Sequence, residues 1–211
     1  MKKKEAVFST SYFPPVAMAA AMMQKGTGGV MLIEKNETYP KQTHRNRTVI
    51  VTANGPMTLS VPVVRTRGNH TPTSEMEISY AERWNTLHWR AIVSAYNASP
   101  YFLYYRDEVE EIVMRHHKWL LDLNETILSF MSKRLKQDWK VKYTEEYLKG
   151  EEYTIDCRDR YTYKHPEKMP RLEQYHQVFG DRMPFNSNVG VLDLLFNLGP
   201  ETAAYLLRQS L

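Results

Sequence analysis

A mixed α/β domain is the fold class this chain predicts, and three observations predict it. A short apolar segment, Glu5 to Ser11, leads through a proline turn into a helix-like run and then into a second apolar segment, Val30 to Ile33. Asn54-Gly55-Pro56, a strong hairpin signal, separates two β-rich runs, Arg47 to Ala53 and Met57 to Val64. From Trp84 onward, apolar residues recur at helical spacing. The expectation is an N-terminal strand–helix–strand unit and a hairpin forming a mixed sheet, with a largely helical C-terminal half packed on it. All of it falls in one domain, residues 1–211.

Each element has its own warrant. Tyr12-Phe13-Pro14-Pro15 forces an extended turn, and Pro15, with its φ already set, suits the first position of a helix through Gln24. Gly26 and Gly28-Gly29 end that helix. Met76 to Ser79 predicts a further short strand. Trp84, Leu87, His88, Ala91, Ile92, Ala95 and Tyr96 make one stripe of an amphipathic helix, stopped by Ser99-Pro100. Asp107 predicts the cap of a second helix running to Lys136. Trp139 to Tyr143 alternates like a strand, and the rest of 137–184 carries no clear pattern. Asn186 or Asn188 caps a helix to Leu198, Gly199 follows as its terminator, and Pro200 opens a last helix to Gln209.

The totals exclude several classes. With 42% hydrophobic and 25% charged residues, the chain can build a core and is not predicted to be disordered. One cysteine, Cys157, cannot form an intramolecular disulfide, which rules out a disulfide-stapled fold. No apolar run approaches the roughly 18 residues of a membrane span. The start, with Lys2-Lys3-Lys4 before an apolar stretch, imitates a signal peptide. However, Glu5, Ser9-Thr10-Ser11 and Pro14-Pro15 interrupt it, so it reads as strand–loop–helix and the protein as cytoplasmic. The net charge of +4 is scattered, which favours a small anionic ligand such as a nucleotide sugar over nucleic acid.

Four constellations are candidates for chemistry. The Tyr12 turn lies between a strand and a helix N-terminus, where α/β folds collect ligands, although inward packing of its rings explains it equally. Lys41-Gln42-Thr43-His44-Arg45-Asn46-Arg47, read as a strand, puts Lys41, Arg45 and Arg47 on one face, suited to phosphate or carboxylate oxygens. A charged edge strand that deters aggregation has the same pattern. His88, on an apolar stripe, is either a general base or a satisfied core residue. Asp193 and Asn197 share a face of an otherwise apolar helix and either anchor a loop or line the site. There is no metal signature and no Gly-rich cofactor fingerprint, so the cofactor is left undetermined.

The same segments resemble those of the WbqC-like family. They are Ser9-Thr10-Ser11-Tyr12-Phe13-Pro14-Pro15, Glu37-Thr38-Tyr39-Pro40 with the Lys41–Arg47 stretch, Ala53-Asn54-Gly55 before Leu59-Ser60-Val61-Pro62-Val63, His88 through Tyr96, and Asn188 through Glu201. Many members open with Gln-Pro-Tyr-Phe-Pro, whereas here Thr10 and Ser11 stand in for the polar group of that turn. The resemblance implies work near surface-polysaccharide (O-antigen-type) biosynthesis and supplies no agreed catalytic residues. Beside it, the residues support a transferase placing an acyl or aminoacyl group on a nucleotide-activated sugar. In that reading Arg45 and Arg47 hold phosphates, with Lys41 on the same basic face. Tyr12 and Asn46 orient the sugar, His88 acts as base, and Gln42, Asp193 and Asn197 support them. The alternative is a non-catalytic binding or assembly partner of glycan enzymes.

Overall fold

A computed structural model describes residues 5–26, 30–149, 154–163 and 165–211; Lys2-Lys3-Lys4 and Gly28-Gly29 lie outside them. The class is the one expected, mixed α/β. It opens with β1 (Glu5–Ser9), α1 (Val16–Gly26) and β2 (Val30–Glu34), β1 and β2 running parallel with Phe8 opposite Ile33. Helix α1 is Ala/Met-rich because it is buried on nearly every side, so it has no solvated face to fill with charge. β3 (Arg47–Thr52) and β4 (Gly55–Ser60) form the expected hairpin, with Gly55 at φ +104° in its turn. That hairpin, expected within the main sheet, is a separate two-stranded sheet. Pro62 cannot donate to a ladder, and the run expected as one strand to Val64 breaks there. The chain resumes as β5 (Val63–Arg65), antiparallel to β6 (Met76–Ile78).

The helices follow. α2 (Trp84–Tyr96) buries Trp84, His88, Ile92, Ala95 and Tyr96 as the stripe predicts, but Leu87 is 59% exposed and Trp89 is buried in its stead. The single helix expected from Asp107 to Lys136 is two, α3 (Phe102–Met114) and α4 (Leu120–Arg134), with Asp107 inside the first. Tyr80 makes the break. Its ring stacks on His116 at 3.8 Å between centroids, and its hydroxyl bonds both the N–H and the carbonyl of His117. Those backbone groups are therefore lost to any continuing helix. The alternating run became β7 (Lys140–Tyr143), and a strand that sequence reading did not find, β8 (Thr154–Asp156), lies beyond it. α5 (Val191–Leu198) starts later than the Asn caps suggested, at Gly190, and ends at Gly199, φ +52°; α6 (Thr202–Arg208) closes the chain.

The main sheet has the order β7-β2-β1-β8, and every pair in it is parallel. Gly190 lets α5 seat its N-terminus on the hairpin, since a Cβ there would lie 2.0 Å from Thr48 Oγ1. Thr48 in turn donates to the Phe13 carbonyl at 2.8 Å, holding Phe13 at φ +42°, a conformation that a residue preceding proline does not adopt unaided. No described helix is long and apolar enough to cross a membrane.

Candidate functional site

Parallel strands end on one edge, and here the edge is polar. From β1 the chain moves outward to β2 and β7, then returns to place β8 on the other side of β1. The strand order therefore reverses at β1, the position where open α/β sheets hold ligands beyond their carboxyl ends. Ser9 ends β1, Glu34 ends β2, Thr144 follows β7, and Arg158 follows β8. The loop 35–46 adds Glu37, Thr43, His44 and Arg45, and all eight side chains are buried.

Two ionic knots hold this edge. Arg45, with no solvent exposure, meets Glu37 through Nε–Oε1 at 2.5 Å and Nη2–Oε2 at 2.7 Å. It also donates to Thr43 Oγ1 at 3.3 Å and to Asp159 Oδ1 at 3.2 Å. Burial pushes the Glu37 carboxyl up, and Arg45 opposes that push. Glu34 accepts from Thr144 Oγ1 (2.7 Å) and from the N–H groups of Asn36 (2.8 Å) and Leu148 (3.0 Å), with Arg158 Nη1 at 3.5 Å. Arg158 pairs more closely with Asp156, Nη2–Oδ2 2.6 Å, and the Asp156 carboxylate raises its pKa.

Between the knots lies a nucleophile–base pair. Ser9 Oγ is 2.6 Å from His44 Nε2 and 3.1 Å from the Arg158 carbonyl. The serine has one proton for two acceptors, so the imidazole tautomer decides which receives it. Burial, aided by the Arg45 charge, holds His44 well below the usual histidine range. The ring is therefore neutral near pH 7, as a base must be. Its Nδ1 has no partner among the described residues. The His44 carbonyl takes the Tyr12 N–H (2.9 Å) and the Ser11 hydroxyl (3.1 Å), locking the loop onto the end of β1. Beside Ser9, a slot with a cavity volume of about 10 Å³ lies between Thr10, Ser11 and Pro14 on one side and Asn124, Leu128 and Met131 of α4 on the other. That is the size of one water.

The residues expected from sequence fall in several places. The stretch Lys41–Arg47 is a turn, not a strand, until Arg47 itself; Gln42 sits at φ +59° and Asn46 N–H folds back to the Thr43 carbonyl. Lys41, Arg45 and Arg47 thus share no strand face: Lys41 is exposed, Arg45 is enclosed by carboxylates, and Arg47 is half-buried. Gln42 is exposed, and Asn46 donates to the Val61 carbonyl at 2.8 Å. Tyr12 is buried and its hydroxyl bonds His88 Nδ1 at 3.0 Å. Burial lowers His88 to about 4. Buried, with Nδ1 tied to Tyr12, the ring has the geometry of the core alternative, and α2 does not offer it to the sheet edge.

Asp193 and Asn197 are also away from that edge. Asp193 accepts from Tyr175 (2.6 Å), Tyr96 (2.9 Å) and Gln177 (2.9 Å), and Gln177 clasps both the N–H and the carbonyl of Asn186. Asn197 donates to the Asp193 carbonyl at 2.7 Å. This is the loop-anchoring geometry, and it fixes the irregular 169–188 segment. Asp193→Ala leaves two buried tyrosine hydroxyls and an amide without their acceptor, so a loss of about 2 kcal/mol is expected. A urea midpoint unchanged within about 0.5 kcal/mol would show that the loop is held elsewhere.

Ser9, Glu34, Glu37 and Arg158 were not among the residues singled out from sequence. A signal existed for two of them: Ser9-Thr10-Ser11 and Glu34 are the first polar residues after apolar strands, where a parallel sheet opens. With the geometry in hand, comparison with known proteins adds context. The profile of the WbqC-like protein family matches residues 11–162, a stretch that holds His44, both ionic knots and α4 and begins two residues after Ser9. "Uncharacterized protein Rv1507c" of Mycobacterium tuberculosis (strain ATCC 25618 / H37Rv) is 26% identical over 203 residues, covering 83% of this chain and 86% of that protein. No solved structure matches.

Proposed function

We propose that this chain, which belongs to the WbqC-like protein family, is a cytoplasmic transferase of surface-polysaccharide assembly that passes an acyl or aminoacyl group to a nucleotide-activated sugar. The observation that carries the reading is the 2.6 Å contact between Ser9 Oγ and His44 Nε2 at the point where the strand order reverses. A hydroxyl in contact with a neutral imidazole is the minimum equipment for acyl transfer. In the reading, Ser9 Oγ attacks the donor's acyl carbon while its proton passes to His44 Nε2. The donor's leaving group departs with that proton, leaving an ester on Ser9. The sugar's hydroxyl or amine then attacks the ester, gives its proton to Nε2, and Ser9 Oγ takes that proton back as it leaves.

This moves the base from His88 to His44 and takes Arg45 away from the ligand phosphates, because Glu37 and Asp159 already occupy its guanidinium. The self-paired knots and the narrow slot equally suit a non-catalytic binding protein, and the test separates the two. Incubation with p-nitrophenyl acetate followed by peptide mass mapping is expected to find the acetyl group on Ser9. His44→Gln is expected to slow acylation about 10²-fold or more, and Ser9→Ala to abolish it at that site. Thermal stabilisation by nucleotide sugars with no adduct at Ser9 would leave the binding reading standing and the transferase reading refuted.

A further inference from the structure

Three features lie together outside the Ser9–His44 pair: the Tyr39 hydroxyl, the Arg47 side chain at the start of β3, and Arg65 at the end of β5. Tyr39 is buried, and its Oη has no hydrogen-bond partner among the described residues; the same holds for the buried Nε of Arg47. Arg65 lies over the Tyr39 ring with its guanidinium carbon 5.9 Å from the centroid. Its nitrogens reach the Tyr39 carbonyl at 3.1 Å and Asn69 Oδ1 at 2.8 Å. Neither Arg47 nor Arg65 forms an ion pair with any described carboxylate, in contrast to Arg45 and Arg158, which are saturated. Electrostatically, Tyr39 feels the charges of Arg45, Arg47 and Arg65 together.

The unmet groups on these three residues, a tyrosine O–H and an arginine Nε–H, are donors, and the unbalanced charges are positive. Buried donors are normally paired, and leaving one without an acceptor costs roughly 1–3 kcal/mol. A group that accepts from an O–H and a guanidinium at once and carries negative charge relieves both defects, and phosphate oxygens match the guanidinium fork. Asn46 Oδ1, one residue before Arg47, is an orphan acceptor, so a water bridging it to Arg47 Nε is the competing occupant. Arg47 and Arg65 are half-buried rather than enclosed, so part of each side chain meets solvent, while Tyr39 Oη and Arg47 Nε are themselves shielded from it.

We propose that Tyr39, Arg47 and Arg65 form an anion subsite that takes a phosphate or diphosphate group. The proposal deepens, and rests on, the reading of a phosphate-bearing ligand given above, but its measurement involves no turnover, so either can fail without the other. The probe is inorganic pyrophosphate, titrated against the full chain by calorimetry and thermal shift, with orthophosphate and citrate alongside. Pyrophosphate is expected to bind and raise the melting temperature, more strongly than citrate of comparable charge. Tyr39→Phe removes only the orphan hydroxyl, so the unliganded protein should be as stable as wild type or more so, while pyrophosphate affinity falls about 10-fold. Arg47→Met should weaken binding at least as much, and Arg65→Met should weaken it too. If Tyr39→Phe destabilises the unliganded protein, its hydroxyl has a structural partner and the proposal is overturned. Binding within twofold of wild type in both Tyr39→Phe and Arg47→Met, or no binding to wild type, overturns it equally and leaves the bridging water as the occupant.

Discussion

Glu37→Ala is expected to cost about 3–5 kcal/mol of stability, the usual penalty for stranding one member of a buried ion pair. Arg45 is wholly enclosed, and among the described residues Glu37 is its one buried carboxylate partner; Asp159, the other, is largely exposed. Removing the Glu37 carboxylate leaves a guanidinium away from water with its Nε and one Nη2 hydrogen unpaired. Glu37→Gln keeps the shape and one acceptor and should cost less. The double variant Glu37→Met/Arg45→Met should recover most of the loss, because deleting both charges removes the desolvation cost along with the attraction. Urea unfolding measures all three. A Glu37→Ala loss below about 1 kcal/mol would mean that water reaches Arg45 and that the loop 35–46 is not fixed by this pair.

The second large effect is acid lability. His88 protonates at about 4 in the folded chain and near 6.5 when unfolded. Between those values the unfolded state binds the extra proton, so stability falls as pH drops from about 6.5 towards about 4. At about 1.4 kcal/mol per pH unit, this one ring accounts for roughly 3 kcal/mol by pH 4. His44, also depressed by burial, acts in the same direction. Asp193 and Glu37 have raised values, so their contribution is fully present below the unfolded carboxylate range and is lost as pH rises through their folded values. The discriminating measurement is therefore the difference between wild type and His88→Gln. Gln does not titrate, so the variant's stability should be the flatter by about one proton between pH 6.5 and 4, although it is the less stable at pH 7. Parallel curves would show that His88 is already accessible to protons in the folded state.

The two results bear on what could be read from residues alone. The strand–helix–strand unit, the hairpin and the terminal helices were legible because local chemistry determines them: a proline turn, an Asn-Gly pair, an apolar period, a glycine terminator. The break between α3 and α4 was not, because Tyr80 imposes it from outside the segment. β8 was hidden for a similar reason: three residues pair with β1 only in the assembled sheet, and nothing in their spacing announces it. At the site, the Lys41–Arg47 stretch was found, but its geometry was misread as extended. Whether Arg45 faces a ligand or a carboxylate depends on Glu37 and Asp159, which sit 8 and 114 residues away. Burial of His88 was foreseeable from its stripe; that the Tyr12 hydroxyl takes its Nδ1 was not.

The order of the main sheet also governs how the chain must be made. Ser9 reaches the Arg158 carbonyl across 149 residues, and β1 is flanked on one side by a strand that ends at Asp156. On a ribosome, β1, α1 and β2 emerge early with two open strand edges, and neither edge can be covered until β7 and β8 have been synthesised. Contacts of such long separation slow folding, and uncovered parallel edges invite association with other chains. The Ser9 hydroxyl can touch His44 as soon as the loop 35–46 has formed. The walls that close over it, α4 and then β8 with the Arg158 carbonyl, arrive only in the second half of the chain, so partly made chains hold an incomplete and exposed version of the site.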